Sequence, residues 1–169
     1  DVSKRPATST PLLSELTPFD VVLLWSEDPW DDPTGLGDVL DGYLGAGGSL
    51  VLGAHALEVG AQPLGAFDAA NSSPLVPGAP ATVPGDIDLT AADLTHPLYA
   101  GVTAITFPDL LQGSPLLASG ADLLGVDTAG NNVVAAWCDR SVVAVNIFPP
   151  SLPTASPDAA LLVANAITM

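Results

Sequence analysis

The chain has 169 residues, 48% of them hydrophobic and only 13% charged, a size and balance that support one buried core and exclude a disordered polymer. Nineteen acidic residues against three basic ones leave a net charge of −16, which repels phosphate backbones and anionic membrane surfaces and argues against a nucleic-acid partner. The apolar runs are short and broken by Gly, Pro and Asp, so membrane insertion is not expected either.

The acids are nearly all Asp, with only Glu15, Glu27 and Glu58 as exceptions, and they are scattered through turns. Solubility of an apolar, lysine-poor chain explains that pattern. Calcium binding by clustered carboxylates is the sharper alternative. The single cysteine, Cys138, ends an apolar run and reads as a small buried hydrophobe. No basic-then-apolar leader opens the sequence, although a processed chain would look the same.

In chain order, residues 1–18 form a Pro/Ser/Thr-rich extension holding Lys4 and Arg5, with one short helical turn within Pro11–Leu16. The domain proper is expected over residues 19–169. Phe19–Trp25 is an aliphatic run with the pattern of a strand covered on both faces. Ser26–Pro33 is an acidic turn. A helix follows, with Asp32 or Thr34 near its N-cap and Leu36, Val39, Leu40, Tyr43 and Leu44 on one apolar face. Gly47-Gly48 stops it, and Ser49–Ala54 is a second buried strand, parallel to the first through a crossover connection. Together these make a βαβ unit ending in a turn at His55.

Glu58–Asp86 lacks a sustained period and reads as a long excursion over the sheet. Ile87–Val102, with Thr95-His-Pro-Leu-Tyr-Ala-Gly-Val102, reads as a turn and an edge element. Ala121–Val126, Val133–Trp137 and Val142–Ile147 are short strands joined by hairpin signals. Ser156 caps a last helix over Pro157–Thr168, which packs Ala160, Leu161, Val163, Ala164 and Ile167 on the sheet.

These passages resemble the class I glutamine amidotransferase-like superfamily, and within it the ThuA-like branch. Phe19–Trp25, the helix and Gly48–Gly53 look like the family's passage from strand through Gly-Gly to a strand ending in an elbow. Thr95–Val102 and Val145-Asn-Ile-Phe-Pro-Pro150 resemble two later phrases. The resemblance implies an α/β, flavodoxin-like three-layer sandwich with a mostly parallel sheet and a C-terminal β-hairpin region, lacking its first strand. It also implies a Cys-His-Glu triad, whose positions hold His55, Phe148 and Pro150 here. Thiolate attack needs a base and a group to orient that base, so amidotransferase chemistry is not expected.

The expected function is a non-catalytic structural or binding module, bacterial and extracellular rather than cytoplasmic. An uncovered sheet edge would let it associate with copies of itself or with other subunits. Two alternatives stay open. One is a ThuA-like sugar-modifying enzyme using His55 with Asp28 or Asp31 as acid–base partners. The other is a calcium- or carbohydrate-binding module, with Glu27, Asp28, Asp31 and Asp32 around a cation and Trp30 as an exposed sugar platform. Trp25 and Trp137 read as core. His96, before Pro97, reads as a turn stabiliser with ligand binding as its alternative, and a zinc site shared by the two histidines has no supporting spacing.

Overall fold

A computed structural model describes residues 9–26, 28–78, 82–88, 90, 92–112, 114–137 and 139–169. Glu27, one of the candidate metal ligands, and Cys138 lie outside these residues.

The first half is the βαβ unit. A short helix, α1 (Leu13–Leu16), leads into β1 (Val21–Leu24). Helix α2 (Pro33–Gly45) starts where the sequence places a cap: Asp32 Oδ1 accepts from the Gly35 N–H at 2.8 Å, and Pro33 fills the first turn. Leu36, Leu40 and Tyr43 are buried on its inner face. The helix closes because Gly47 takes a left-handed φ of 92° and the Gly48 N–H returns to the Tyr43 carbonyl. The Tyr43 hydroxyl donates to the Phe19 carbonyl at 2.8 Å, locking the entry to β1, and burial raises its pKa. Strand β2 (Ser49–Leu52) then pairs parallel to β1, with Val22 opposite Leu50.

The excursion after Glu58 has more structure than its composition suggests. It contains α3 (Gly65–Ala69), β3 (Leu75–Val76) and the start of β4 (Thr82–Asp88). A 3₁₀ turn over Pro97–Tyr99 precedes β5 (Thr106–Gln112) and β6 (Leu116–Leu117). Next come β7 (Asp122–Asp127), β8 (Asn132–Trp137) and β9 (Val142–Val145), then a 3₁₀ segment over Pro149–Thr154 and helix α4 (Pro157–Thr168).

The main sheet has seven strands in the order β1-β2-β9-β8-β7-β4-β5, and β3 pairs with β6 separately. This corrects the expectation of a mostly parallel sheet. Only β1–β2 and β2–β9 are parallel, and every pairing from β9 outward is antiparallel. The reason is connectivity. Parallel neighbours need a long crossover, whereas β7, β8 and β9 follow one another through tight turns that allow only antiparallel pairing. In the first turn, buried Asp127 accepts from the Ala129 and Asn131 backbone N–H groups and from the Asn131 side chain.

Apolar side chains cover both faces of the sheet. One core gathers α4, the Pro97–Tyr99 turn and residues such as Val51, Val143, Val145 and Ile147; the other gathers α2, α3, Leu50, Leu52 and Ala144. The layered α/β arrangement is therefore present. Among the described residues strand β1 ends the sheet, and Val21, Val22 and Leu23 are only half-buried.

Candidate functional site

The carboxyl ends of β1, β2 and β9 meet at one edge, where α/β folds place ligands. Past β2 the chain is fastened on both sides: the Gly53 N–H donates to the Leu24 carbonyl at 2.7 Å and the Ala54 N–H to the Ile147 carbonyl at 2.9 Å. The backbone then reverses at His55, whose φ of 65° is left-handed, and the Glu58 N–H closes the turn on the His55 carbonyl. A non-glycine residue in this region carries local strain of about 1 kcal/mol. Ala56 and Leu57 hold the turn in place by being buried beneath it. The elbow expected from the sequence is thus present, with histidine at its apex.

Two neighbours define the His55 side chain. Its Nδ1 lies 3.1 Å from Glu58 Oε2, and the two side chains keep only 20% and 16% of their surface. Oε2 itself is buried, and among the described residues the imidazole is the polar group placed against it. The Phe148 ring stands edge-on to the imidazole, with centroids 5.4 Å apart and planes at 71°. An imidazole–carboxylate pair can move a proton, but a phenyl ring on the other side can neither accept nor relay one.

Sequence reasoning paired His55 with Asp28 or Asp31. Among the described residues the carboxylate beside it is Glu58, which a His-x-x-Glu reading of a tight turn would have found. Asp28 and Asp31 are exposed in the loop after β1, where the Ser26 hydroxyl donates to the Asp28 carbonyl. Asp32 is engaged as the cap of α2. Among the described residues no group of three or more His, Cys, Asp or Glu side chains converges in a way that could hold a metal ion.

Trp30 is half-buried rather than a free platform. It packs against the α2-side core and its indole N–H donates to the Ala61 carbonyl at 2.5 Å, tying the acidic loop to the turn after the elbow. His96 caps the 3₁₀ turn, its Nδ1 accepting from the Leu98 N–H at 3.3 Å, as the turn-stabiliser reading expects. Trp25 and Trp137 are half-buried, with Trp137 packed against the α2-side core and Arg140 over its ring at 4.8 Å.

A crevice of about 40 Å³ lies on the α3 side, with Ala56, Phe67, Val76 and Pro77 among its lining residues. Asn146, just after β9, is fully buried, and neither polar atom of its amide has a partner among the described residues.

The elbow at the end of β2, the parallel β1–β2–β9 core and the antiparallel strands beyond it define a mixed α/β sandwich. Among solved structures, one with this fold is a crystal structure named as a ThuA-like protein from Bacteroides uniformis. It superposes with a TM-score of 0.64 at 13% sequence identity, covering 92% of this chain and 70% of that one. At that identity the likeness is one of fold. No family model matches the sequence, and no curated protein does.

Proposed function

We propose that this chain is a non-catalytic structural or binding module, a ThuA-like member of the amidotransferase-like superfamily that has lost its reactive trio. It works outside the cytoplasm as one part of a larger assembly. The observation that carries this reading is the pairing of His55 with Phe148: the residue at the elbow apex faces a hydrocarbon ring where a nucleophile would need a base. The half-exposed aliphatic edge at β1 supports the assembly role, and the acidic, lysine-poor composition supports an exterior location.

The test is turnover by the wild-type chain and His55→Ala side by side. Ammonia release from glutamine and conversion of simple sugars are both expected to stay at the blank rate in the two proteins. A rate that depends on His55 would overturn the proposal. It would favour the second reading, a sugar-modifying enzyme in which the His55–Glu58 pair at 3.1 Å acts as general base. The calcium-binding alternative has less support, because Asp32 caps α2 and Trp30 is held by Ala61. Calorimetric titration with calcium chloride is expected to give no heat beyond dilution.

A further inference from the structure

The outer edge of β1 has a chemistry of its own. Val21 and Leu23 reach the core on the α4 side, Val22 reaches the core on the α2 side, and all three remain half-buried. Both faces of the sheet are therefore aliphatic and incompletely covered by the described residues at this border. Edges facing solvent are ordinarily blunted by lysine, proline or a bulge. Residues 21–24, Val-Val-Leu-Leu, carry none of these and pair with β2 in unbroken register. An open groove of about 470 Å³ runs beside the amino end of the strand, lined by Pro18, Phe19, Asp20, Val21 and Ile167.

Charge brackets this edge. Exposed Asp20 precedes the strand, and exposed Asp28, Asp31 and Asp32 follow it. The only cation among the described residues, Arg140, sits elsewhere, donating to the Ala70 and Asn71 carbonyls and stacking on Trp137.

We propose that the outer edge of β1 takes up an extended segment of a different polypeptide, aliphatic on both faces over about four residues and carrying Lys or Arg at both ends. Backbone pairing along β1 would supply the affinity, and the alternating faces and acidic ends the selectivity. A second copy of this chain does not fit. Its own β1 is aliphatic, but acids stand at both ends of it, so like charges oppose in either strand orientation. The inference rests on the assembly reading above, while its test needs no activity assay, so the two can fail separately.

The probes are three synthetic peptides titrated into isotope-labelled protein and followed by amide resonances. One is basic and aliphatic (KKVIVVKK), one has glutamates at the ends (EEVIVVEE), and one keeps the basic ends but places proline at the centre (KKVPVVKK). The first is expected to bind with a Kd of about 10–500 μM at low salt, to shift the amides of residues 19–24, and to weaken at least fivefold between 20 and 200 mM NaCl. The other two should bind at least tenfold more weakly, and Asp20→Asn combined with Asp28→Asn should weaken the first several-fold in a protein whose circular dichroism is unchanged. Failure of the basic peptide to bind overturns the proposal. So does equal binding of the glutamate or proline peptide, a shift map away from β1, or a salt-strengthened dimer of the chain in sedimentation.

Discussion

Replacing His55 by alanine and, separately, by glycine isolates the strain at the elbow. At an ordinary position alanine stabilises a protein over glycine by about 0.4–1 kcal/mol, because it restricts the unfolded chain. At a φ of 65° the order should reverse, since a Cβ in the left-handed region costs about 1–2 kcal/mol. Both variants lose the edge-on contact with Phe148, worth about 0.5–1.5 kcal/mol. Both also leave buried Glu58 Oε2 without the imidazole, at a cost of about 1–3 kcal/mol. His55→Ala should therefore fall about 2–4 kcal/mol below wild type, and His55→Gly about 1 kcal/mol less far. For a chain of this size that gap is about 2–4 °C in thermal midpoint. Urea melts of the three proteins measure it directly, and adding Glu58→Gln to His55→Ala should restore part of the loss by removing the stranded charge. If His55→Ala proves at least as stable as His55→Gly, the elbow is unstrained and the reasoning fails.

Three further outcomes follow from packing and charge. A Cβ at position 37 would sit 1.6 Å from the Leu64 carbonyl oxygen, so Gly37→Ala must push α2 from the turn before α3 and should cost about 2–3 kcal/mol in a urea melt. Asp158 accepts from the Thr103 hydroxyl and from the Thr103 and Ala104 backbone N–H groups, which lowers its pKa, the hydroxyl bond being the largest cause. A carboxyl depressed on folding stabilises the folded chain above its ordinary pKa and loses that contribution as pH falls through the folded value. Urea midpoints should therefore drop below about pH 4 in the wild type, and less steeply in Asp158→Asn. Arg140→Ala removes the cation over Trp137 and two bonds to the end of α3; it should lower stability by about 1 kcal/mol and speed amide exchange around Ser72.

How far the sequence could be read depended on where structure is encoded locally. Helix α4 begins and ends where Ser156-Pro157 places it, but its buried face is Ala159, Leu162, Val163 and Ala166, and the expected Ala160, Ala164 and Ile167 are exposed. The Ser156 hydroxyl accepts from the Thr106 N–H instead of capping the helix. Helix α2 starts one residue earlier than Thr34 because Asp32 supplies the cap. Strands β7, β8 and β9 fall within a residue or two of the aliphatic runs between hairpin signals. Strand β4 was hidden because Thr82–Asp88 contains Pro84, Gly85 and two Asp residues, and its pairing with β5 and β7 comes from distant segments rather than from its own alternation. At the site, the sharp turn within Gly53–Leu57 was legible from the sequence. Glu58 was missed although the turn at His55 was expected, because the pairing emerges only when that turn is followed three residues on, back to the same ring. The anchoring of Trp30 was equally invisible, because Ala61 offers a backbone carbonyl and no side-chain signal.

The change of strand direction at β9 bears on how the molecule assembles itself. The β7–β8–β9 meander joins near neighbours in sequence and can zip up early, whereas Leu50 must wait for Val142 before β2 has a second partner. The ribosome delivers the βαβ unit first, yet its sheet remains a two-stranded fragment until the last third of the chain emerges. Strand β9 is the closing stitch, and slow or mispaired closure there would leave the aliphatic strands of the first half bare to other chains during synthesis.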